Sequence, residues 1–121
     1  AGDAPAAKLL AHAIDVPPST DADGDPSRAH VHGFHTYPAR MHPDTAARLV
    51  RAFSPEKGRV LDPFCGSGTV LVEAMIAGRN PLGTDLNPLA VRLARCKTRP
   101  REEAELEALV EKATECAAHA E

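Results

Sequence analysis

The chain has 121 residues, 43% of them apolar, with 14 Lys and Arg against 17 Asp and Glu for a formal net charge of −3. This describes one small domain whose overall charge gives no support for nucleic-acid binding. No run approaches the ~18 apolar residues of a membrane span, and no basic segment leads into an apolar one at the start, so the expectation is a cytoplasmic protein.

Cys65, Cys96 and Cys116 are odd in number and lack a Cys-x-x-Cys spacing. A disulfide framework or zinc knuckle is therefore not expected. The start at Ala1 is compatible with removal of an initiator Met or with excision from a longer chain.

In chain order, residues 5–14 read as a short helix opened by Pro5. Residues 15–29 carry four Asp, three Pro and hardly an apolar side chain, the composition of a mobile linker, and the working domain begins near His30. A helix follows Pro43 and Asp44 and runs to Phe53, with Ala46, Leu49, Val50 and Phe53 as its apolar stripe. Residues 54–58 form a turn, and 59–62 a first strand. Residues 69–77 are apolar nearly all round, as in a buried helix, and Gly78 can end it in a left-handed conformation.

A second strand spans 81–85. Asn87 then caps a helix that begins at Pro88 and runs to about residue 97, and Pro100 breaks the chain. From 102 to 120, Leu106, Leu109, Val110, Ala113, Cys116, Ala117 and Ala120 follow helical spacing in an amphipathic last helix. No repeat of fixed period is visible.

Arg59-Val60-Leu61-Asp62-Pro63-Phe64-Cys65-Gly66-Ser67-Gly68-Thr69 joins a strand, a glycine turn and a helix, and Asp85 ends a second strand 23 positions after Asp62. This is the layout of a nucleotide-cofactor site: small residues let the backbone approach the ligand, and the second-strand carboxylate accepts from ribose hydroxyls. A phosphate-loop NTPase needs a Lys after its glycines, and Gly68-Thr69-Val70 has none. A dinucleotide fold spells Gly-x-Gly-x-x-Gly, which Gly66-Ser67-Gly68 does not continue. The acid at Asp62 would repel a pyrophosphate but suits a ligand carrying an ammonium and a sulfonium, such as S-adenosylmethionine.

At these residues the chain resembles the class I S-adenosylmethionine-dependent methyltransferases, in the branch that methylates exocyclic amines of DNA adenine or cytosine, with related tRNA guanosine methylases sharing the pattern. The resemblance rests on residues 60–69, Glu73-Ala74, Gly78-Arg79 and Gly83-Thr84-Asp85-Leu86-Asn87-Pro88-Leu89-Ala90. Upstream, His35-Thr36-Tyr37-Pro38-Ala39-Arg40-Met41-His42-Pro43 is similar to the segment that lies against the methionine end of the cofactor. About residues 30 to 100 are covered.

The fold implied is α/β: a partial Rossmann-like class I methyltransferase fold, its N-terminal portion, with two parallel strands and flanking helices. The implied S-adenosyl-L-methionine-binding residues are Tyr37, Pro38, Arg40, Asp62, Pro63, Phe64, Cys65, Gly66, Gly68, Thr69, Asp85, Leu86 and Asn87. Asp85 is expected to hold the ribose hydroxyls, against a reading as a turn or capping residue, and Asp62 to serve the cofactor loop directly or through water, against a strand-end turn residue. Asn87 and Pro88 would flank the adenine, although starting a helix is a sufficient task for them. Cys65 has a packing role near the cofactor rather than a nucleophilic one. Tyr37 packs against cofactor or is core with its hydroxyl reaching water; Arg40 pairs with a cofactor carboxylate or with an acidic side chain.

His30, His32, His35 and His42 include a plausible ligand spacing but have no carboxylate or Cys partner nearby in sequence, so no metal is expected. Arg92, Arg95, Lys97, Arg99 and Arg101 form either a solvated helix face or a phosphate-contacting patch. Residues 102–121, with seven Glu and one Lys, would repel nucleic acid.

Amino-methylases of this type carry an Asp/Asn/Ser-Pro-Pro-aromatic motif that holds the target amine. It is absent here, since Val16-Pro17-Pro18-Ser19 has neither the polar residue nor the aromatic. The resemblance thus implies residues 1–29 as an N-terminal segment and linker, 30–101 as a partial cofactor-binding core, and 102–121 as a C-terminal helix. This would be the cofactor-binding part of a nucleic-acid methyltransferase, DNA more than RNA, with no catalytic residues of its own and inactive alone. Self-association, or pairing with a C-terminal half, is expected. The alternative is a non-catalytic nucleotide-binding or protein-interaction module.

Overall fold

The computed structural model describes residues 2–16, 28–35, 37–38 and 40–119. Helix α1 spans Ala4–Ile14, with Pro5 in its first turn. Most of the expected linker, residues 17–27, lies outside the described residues. A 3-10 turn at His32–Phe34 precedes α2, Pro43–Phe53. Strand β1 (Arg59–Asp62), α3 (Thr69–Ile76), β2 (Asn80–Gly83), α4 (Pro88–Thr98) and α5 (Glu103–Ala118) follow.

The sheet among the described residues has two strands, parallel, with Arg59 opposite Asn80, Val60 opposite Pro81, Leu61 opposite Leu82 and Asp62 opposite Gly83. Parallel pairing needs a crossover, and α3 supplies it. This is the α/β arrangement of two parallel strands with flanking helices that the resemblance implies, a partial Rossmann-like methyltransferase fold.

Local chemistry accounts for the helix ends. Asn87 Oδ1 accepts from Leu89 N–H at 3.0 Å, and Pro88 in the next position has no donor to leave unsatisfied. His42 does the same for α2, its Nδ1 accepting from Asp44 N–H at 3.3 Å. Gly78 adopts φ +71° just after α3, with its N–H on Met75 O at 2.9 Å. At the C-terminus of α1, Arg48 of α2 donates to His12 O (3.0 Å) and Asp15 O (2.8 Å), satisfying carbonyls that the helix leaves open. That contact, with the fully buried Ala13, seats α1 on α2.

The core is built from small side chains: Ala46, Ala47 and Val50 of α2, Leu71, Val72 and Ala74 of α3, Ala90 and Ala94 of α4, and Cys65. Gly83 belongs to the same packing, since a Cβ there would stand 2.6 Å from Leu71 Cδ1 and 2.9 Å from Cys65 Cβ.

Several expectations are corrected. Phe53 is about half exposed, and the buried stripe of α2 runs through Pro43, Ala46, Ala47 and Val50 instead. Helix α3 is not buried all round: Met75 and Ile76 face outward, and its buried side carries the acid Glu73. The last helix forms over much of the expected stretch, with none of its residues buried and Leu106, Leu109 and Val110 exposed; Ala120 is outside the described residues. Helical spacing makes an apolar stripe, but only a facing surface can bury it.

Among the described residues each strand pairs on one side only, and Leu61 (65% exposed) and Leu82 (56%) on the strands and Phe64 (81%) in the turn after β1 are exposed. Unpaired strand edges beside exposed apolar side chains template association. The 121-residue chain is therefore expected to self-associate, seen as light scattering and a urea midpoint that both change with protein concentration. A monodisperse monomer with a fixed, cooperative midpoint would contradict this.

Candidate functional site

The turn from β1 into α3 is held by its own backbone. Gly68 N–H bonds to Cys65 O (2.8 Å), Cys65 N–H to Thr84 O (2.9 Å), and Thr84 N–H to Asp62 O (3.0 Å). Asp62 Oδ1 accepts from Phe64 N–H at 3.1 Å, the local bond of a strand-end turn. Gly68 sits at φ +86°, and a Cβ there would lie 3.0 Å from Ala94 Cβ, so glycine is required both for the conformation and for the approach of α4.

Beside this turn lies a cavity of about 270 Å³ lined by Tyr37, Arg40, Met41, Leu61, Asp62, Phe64, Cys65, Gly66, Ser67, Thr69 and Val70. The size approaches the lower end of small-molecule sites, ~300 Å³. Thr69 Oγ1, from a side chain only 4% exposed, reaches no partner among the described residues. A buried hydroxyl in the wall of a cavity is available to a ligand.

Asp85, two residues past β2, turns back onto the glycine loop. Its Oδ2 accepts from Gly66 N–H and its Oδ1 from Asn87 N–H, both at 2.8 Å. The N–H groups of Asn87 and Gly66, with a smaller contribution from Leu86 N–H, hold its carboxyl below the ordinary carboxylate range. Asp85 is thus a turn residue and a charged acceptor together. Burial, with the charges of Asp62 and Asp85, pushes the Cys65 thiol up, which keeps it protonated and suits packing rather than attack.

The upstream segment closes over this loop. Asn87 Nδ2 donates to Tyr37 Oη at 3.0 Å, and the Tyr37 ring lies 3.5 Å from where a Gly66 Cβ would stand. Neither alternative expected for Tyr37 included Asn87 as its partner. Arg40 donates to backbone carbonyls, His32 O at 2.5 Å and His35 O at 3.4 Å.

Of the sequence-derived candidates, Tyr37, Arg40, Asp62, Phe64, Cys65, Gly66 and Thr69 share the cavity wall. Asp85 and Asn87 join it through Gly66 and Tyr37, and Gly68 is buried behind it. Pro38, Pro63 and Leu86 are exposed and do not line it, Leu86 at 96%. Met41, Leu61, Ser67 and Val70 line it without having been singled out. Ser67 had a signal, being the small residue between two glycines.

The histidines have no carboxylate partner nearby in sequence, but one of them meets a carboxylate in space. His32 is fully buried, and its Nε2 lies 2.8 Å from Oε1 of Glu73 on α3, 41 residues away. An acid amid Leu71, Val72 and Ala74 was the available signal, since a buried carboxylate needs a partner. His42 is spent on capping α2, and no group of His, Cys, Asp and Glu among the described residues is placed to hold a metal ion.

Arg92 and Arg95 of α4, and Arg99 just past its end, are exposed. Arg99 is paired with Glu105 at 2.9 Å, and the half-buried Lys97 Nζ reaches Ser67 Oγ at 3.4 Å. Burial, and then Arg40, lowers the Lys97 pKa.

Comparison with known proteins gives the same direction. The sequence profile of the DNA methylase family matches residues 16–95. The type II methyltransferase M.MvaI of Kocuria varians is 42% identical over 79 residues, 63% of this chain and 17% of that protein. M.MjaII of Methanocaldococcus jannaschii is 35% identical over 68 residues, 56% of this chain and 13% of the relative. The tRNA (guanine(10)-N2)-dimethyltransferase of Methanothermobacter thermautotrophicus is 39% identical over 62 residues, 50% of this chain and 18% of the relative. The chain spans less than a fifth of the length of each of these relatives.

The buried pair has a pH signature. Burial pushes the His32 imidazole below its ordinary value of 6.5, against the pull of Glu73, with Lys97 and Arg40 acting in the same direction as burial. The native state thus resists a proton that the unfolded chain accepts, so stability is whole above that value and falls as the pH drops below it. The urea midpoint is expected to be lower at about pH 5.5 than at about pH 7.5. His32→Gln, which keeps a neutral donor and cannot titrate, should lose most of that difference; an equal pH dependence in both proteins would remove His32 as its source.

Proposed function

The chain belongs to the DNA methylase family, and from that premise we propose that residues 30–101 are the S-adenosylmethionine-binding part of a nucleic-acid methyltransferase, acting on DNA rather than RNA. The observation that carries this reading is the meeting of Asp85 with Gly66 N–H at 2.8 Å beside a cavity that also contains Asp62. A fixed carboxylate two residues past the second strand, which ends at Gly83 rather than at Asp85 as expected, stands next to a glycine turn, the arrangement that recognises a ribose diol. An aliphatic and aromatic wall that carries both an acid, Asp62, and a base, Arg40, suits a ligand of mixed polarity with positive and negative groups. The residues fit the cofactor.

When bound, that cofactor supplies an electrophilic methyl group on a sulfonium. The work of this chain is binding and orientation. Asp85 would accept from the ribose hydroxyls, Asp62 would offset positive charge, and the backbone of residues 65–68 would let the ligand approach closely. Tyr37 and Arg40 would close the side reached from upstream, and Thr69 Oγ1 would gain the partner it lacks. Residues 1–29 and 102–121 would be appended segments. No helix among the described residues is long and apolar enough to cross a membrane; a cytoplasmic location is part of the proposal.

The sequence contains no Asp/Asn/Ser-Pro-Pro-aromatic motif. These 121 residues are therefore expected to bind cofactor without methylating, and nucleic acid would be a partner of the complete enzyme. Labelled-methyl transfer to duplex DNA or tRNA by the purified chain, above contaminant level, would overturn that expectation.

Calorimetry with S-adenosylmethionine, S-adenosylhomocysteine and NAD separates this reading from a general nucleotide-binding or interaction module, which would prefer NAD or bind none of them. Asp85→Ala should weaken S-adenosylhomocysteine binding by about an order of magnitude, the loss of a charge-assisted hydrogen bond. Unchanged affinity in a folded variant would falsify the ribose-acceptor role.

A further inference from the structure

Three residues of the cavity wall, Tyr37, Arg40 and Met41, lie between the 3-10 turn and α2, where the described residues form no strand or helix. Such a stretch keeps a defined position only where it is tied down. Downstream it is tied by α2, whose Pro43, Ala46, Ala47 and Val50 are buried. Upstream the tie is His32, fully buried and bonded at 2.8 Å to Glu73.

We propose that Glu73 is a positioning residue: by fixing His32 against α3 it holds the Tyr37 and Arg40 wall over the glycine turn, and so shapes the cavity for its ligand. This rests on the cofactor-binding reading. Glu73 does not line the cavity. It lies one helical turn after Thr69, which does, so it shares that face of α3 from behind.

Arg40 carries the constraint forward, since its guanidinium grips the carbonyls of His32 and His35 and returns the wall to its anchor. Tyr37 receives it, with its ring over Gly66 and its hydroxyl on Asn87. A pair that served stability alone would have no reason to report at Tyr37. A positioning pair must.

Tyr37 is the single Tyr of a chain without Trp, so intrinsic fluorescence observes this wall directly and needs no cofactor. The test compares acrylamide quenching of Tyr37, S-adenosylhomocysteine affinity and urea unfolding in the wild-type chain and three variants. In His32→Leu/Glu73→Leu the pair is replaced by apolar side chains, so no charge is stranded. Glu73→Met removes the acceptor alone, and Glu73→Gln keeps one.

The expected result is a quenching constant raised about threefold in the double-leucine and Glu73→Met proteins, as a wall untied upstream becomes mobile. Affinity should fall roughly tenfold in both, through lost preorganisation. Glu73→Gln should stay near wild type in both readouts. Folded variants in which quenching and affinity are unchanged would overturn the proposal. So would a set in which only Glu73→Gln folds, because the pair would then found the core rather than place the wall. If quenching responds as expected but the wild type binds no S-adenosylhomocysteine, the anchoring stands and the cofactor reading falls.

Discussion

The Asp85 carboxylate divides itself between two backbone donors, Gly66 N–H in the first βα turn and Asn87 N–H in the second. Through that division one side chain links the two turns, beside the backbone bonds from Cys65 N–H to Thr84 O and from Thr84 N–H to Asp62 O. Strand pairing alone aligns Asp62 with Gly83 but says nothing of where the loops beyond them go. The carboxylate draws them together, and Thr84 adds a further tie by donating its hydroxyl to Pro63 O at 2.9 Å. A charged acceptor satisfied by main-chain N–H groups stays ionised and stays still, which is what a ligand-recognising carboxylate requires.

The remainder of the molecule is modestly packed. Alanines, valines and one leucine make most of the core, and the largest fully buried side chains are the polar His32 and Ser67. Small side chains bury little apolar area each, so the hydrophobic contribution per residue is low. They also allow close approach: α4 comes so near the glycine turn that a Cβ on Gly68 would stand 3.0 Å from Ala94 Cβ. Loop precision at the site and thinness of the core have a common origin in these small residues.

Polar burial fills the resulting gap with directional contacts. The buried pair of His32 and Glu73 joins the segment before α2 to α3, an exposed bond from Asn87 to Tyr37 joins it to the start of α4, and Arg40 ties the segment to itself through the carbonyls of His32 and His35. Buried polar pairs contribute little net stability compared with apolar ones, but they accept only one geometry. In a domain with few large apolar contacts, that selectivity places the upstream wall of the cavity.

Local chemistry determined much of this protein. Pro43, Pro88 and Asn87 set helix starts, Gly78 a helix end, and the Asp62 to Asp85 spacing the two strands and their glycine turn, because capping and turn preferences act over a few residues. The turn beside the cavity was legible for the same reason: Asp62, Gly66, Gly68 and Thr69 sit in one contiguous run. Only the tertiary structure decided which apolar stripes had anything to face, leaving Phe53 and the leucines of α5 exposed. It alone brought His32 to Glu73 across 41 residues and Tyr37 to Asn87 across 50, since a side chain's partner over such separations depends on the path of the whole chain and leaves no period or spacing in the sequence.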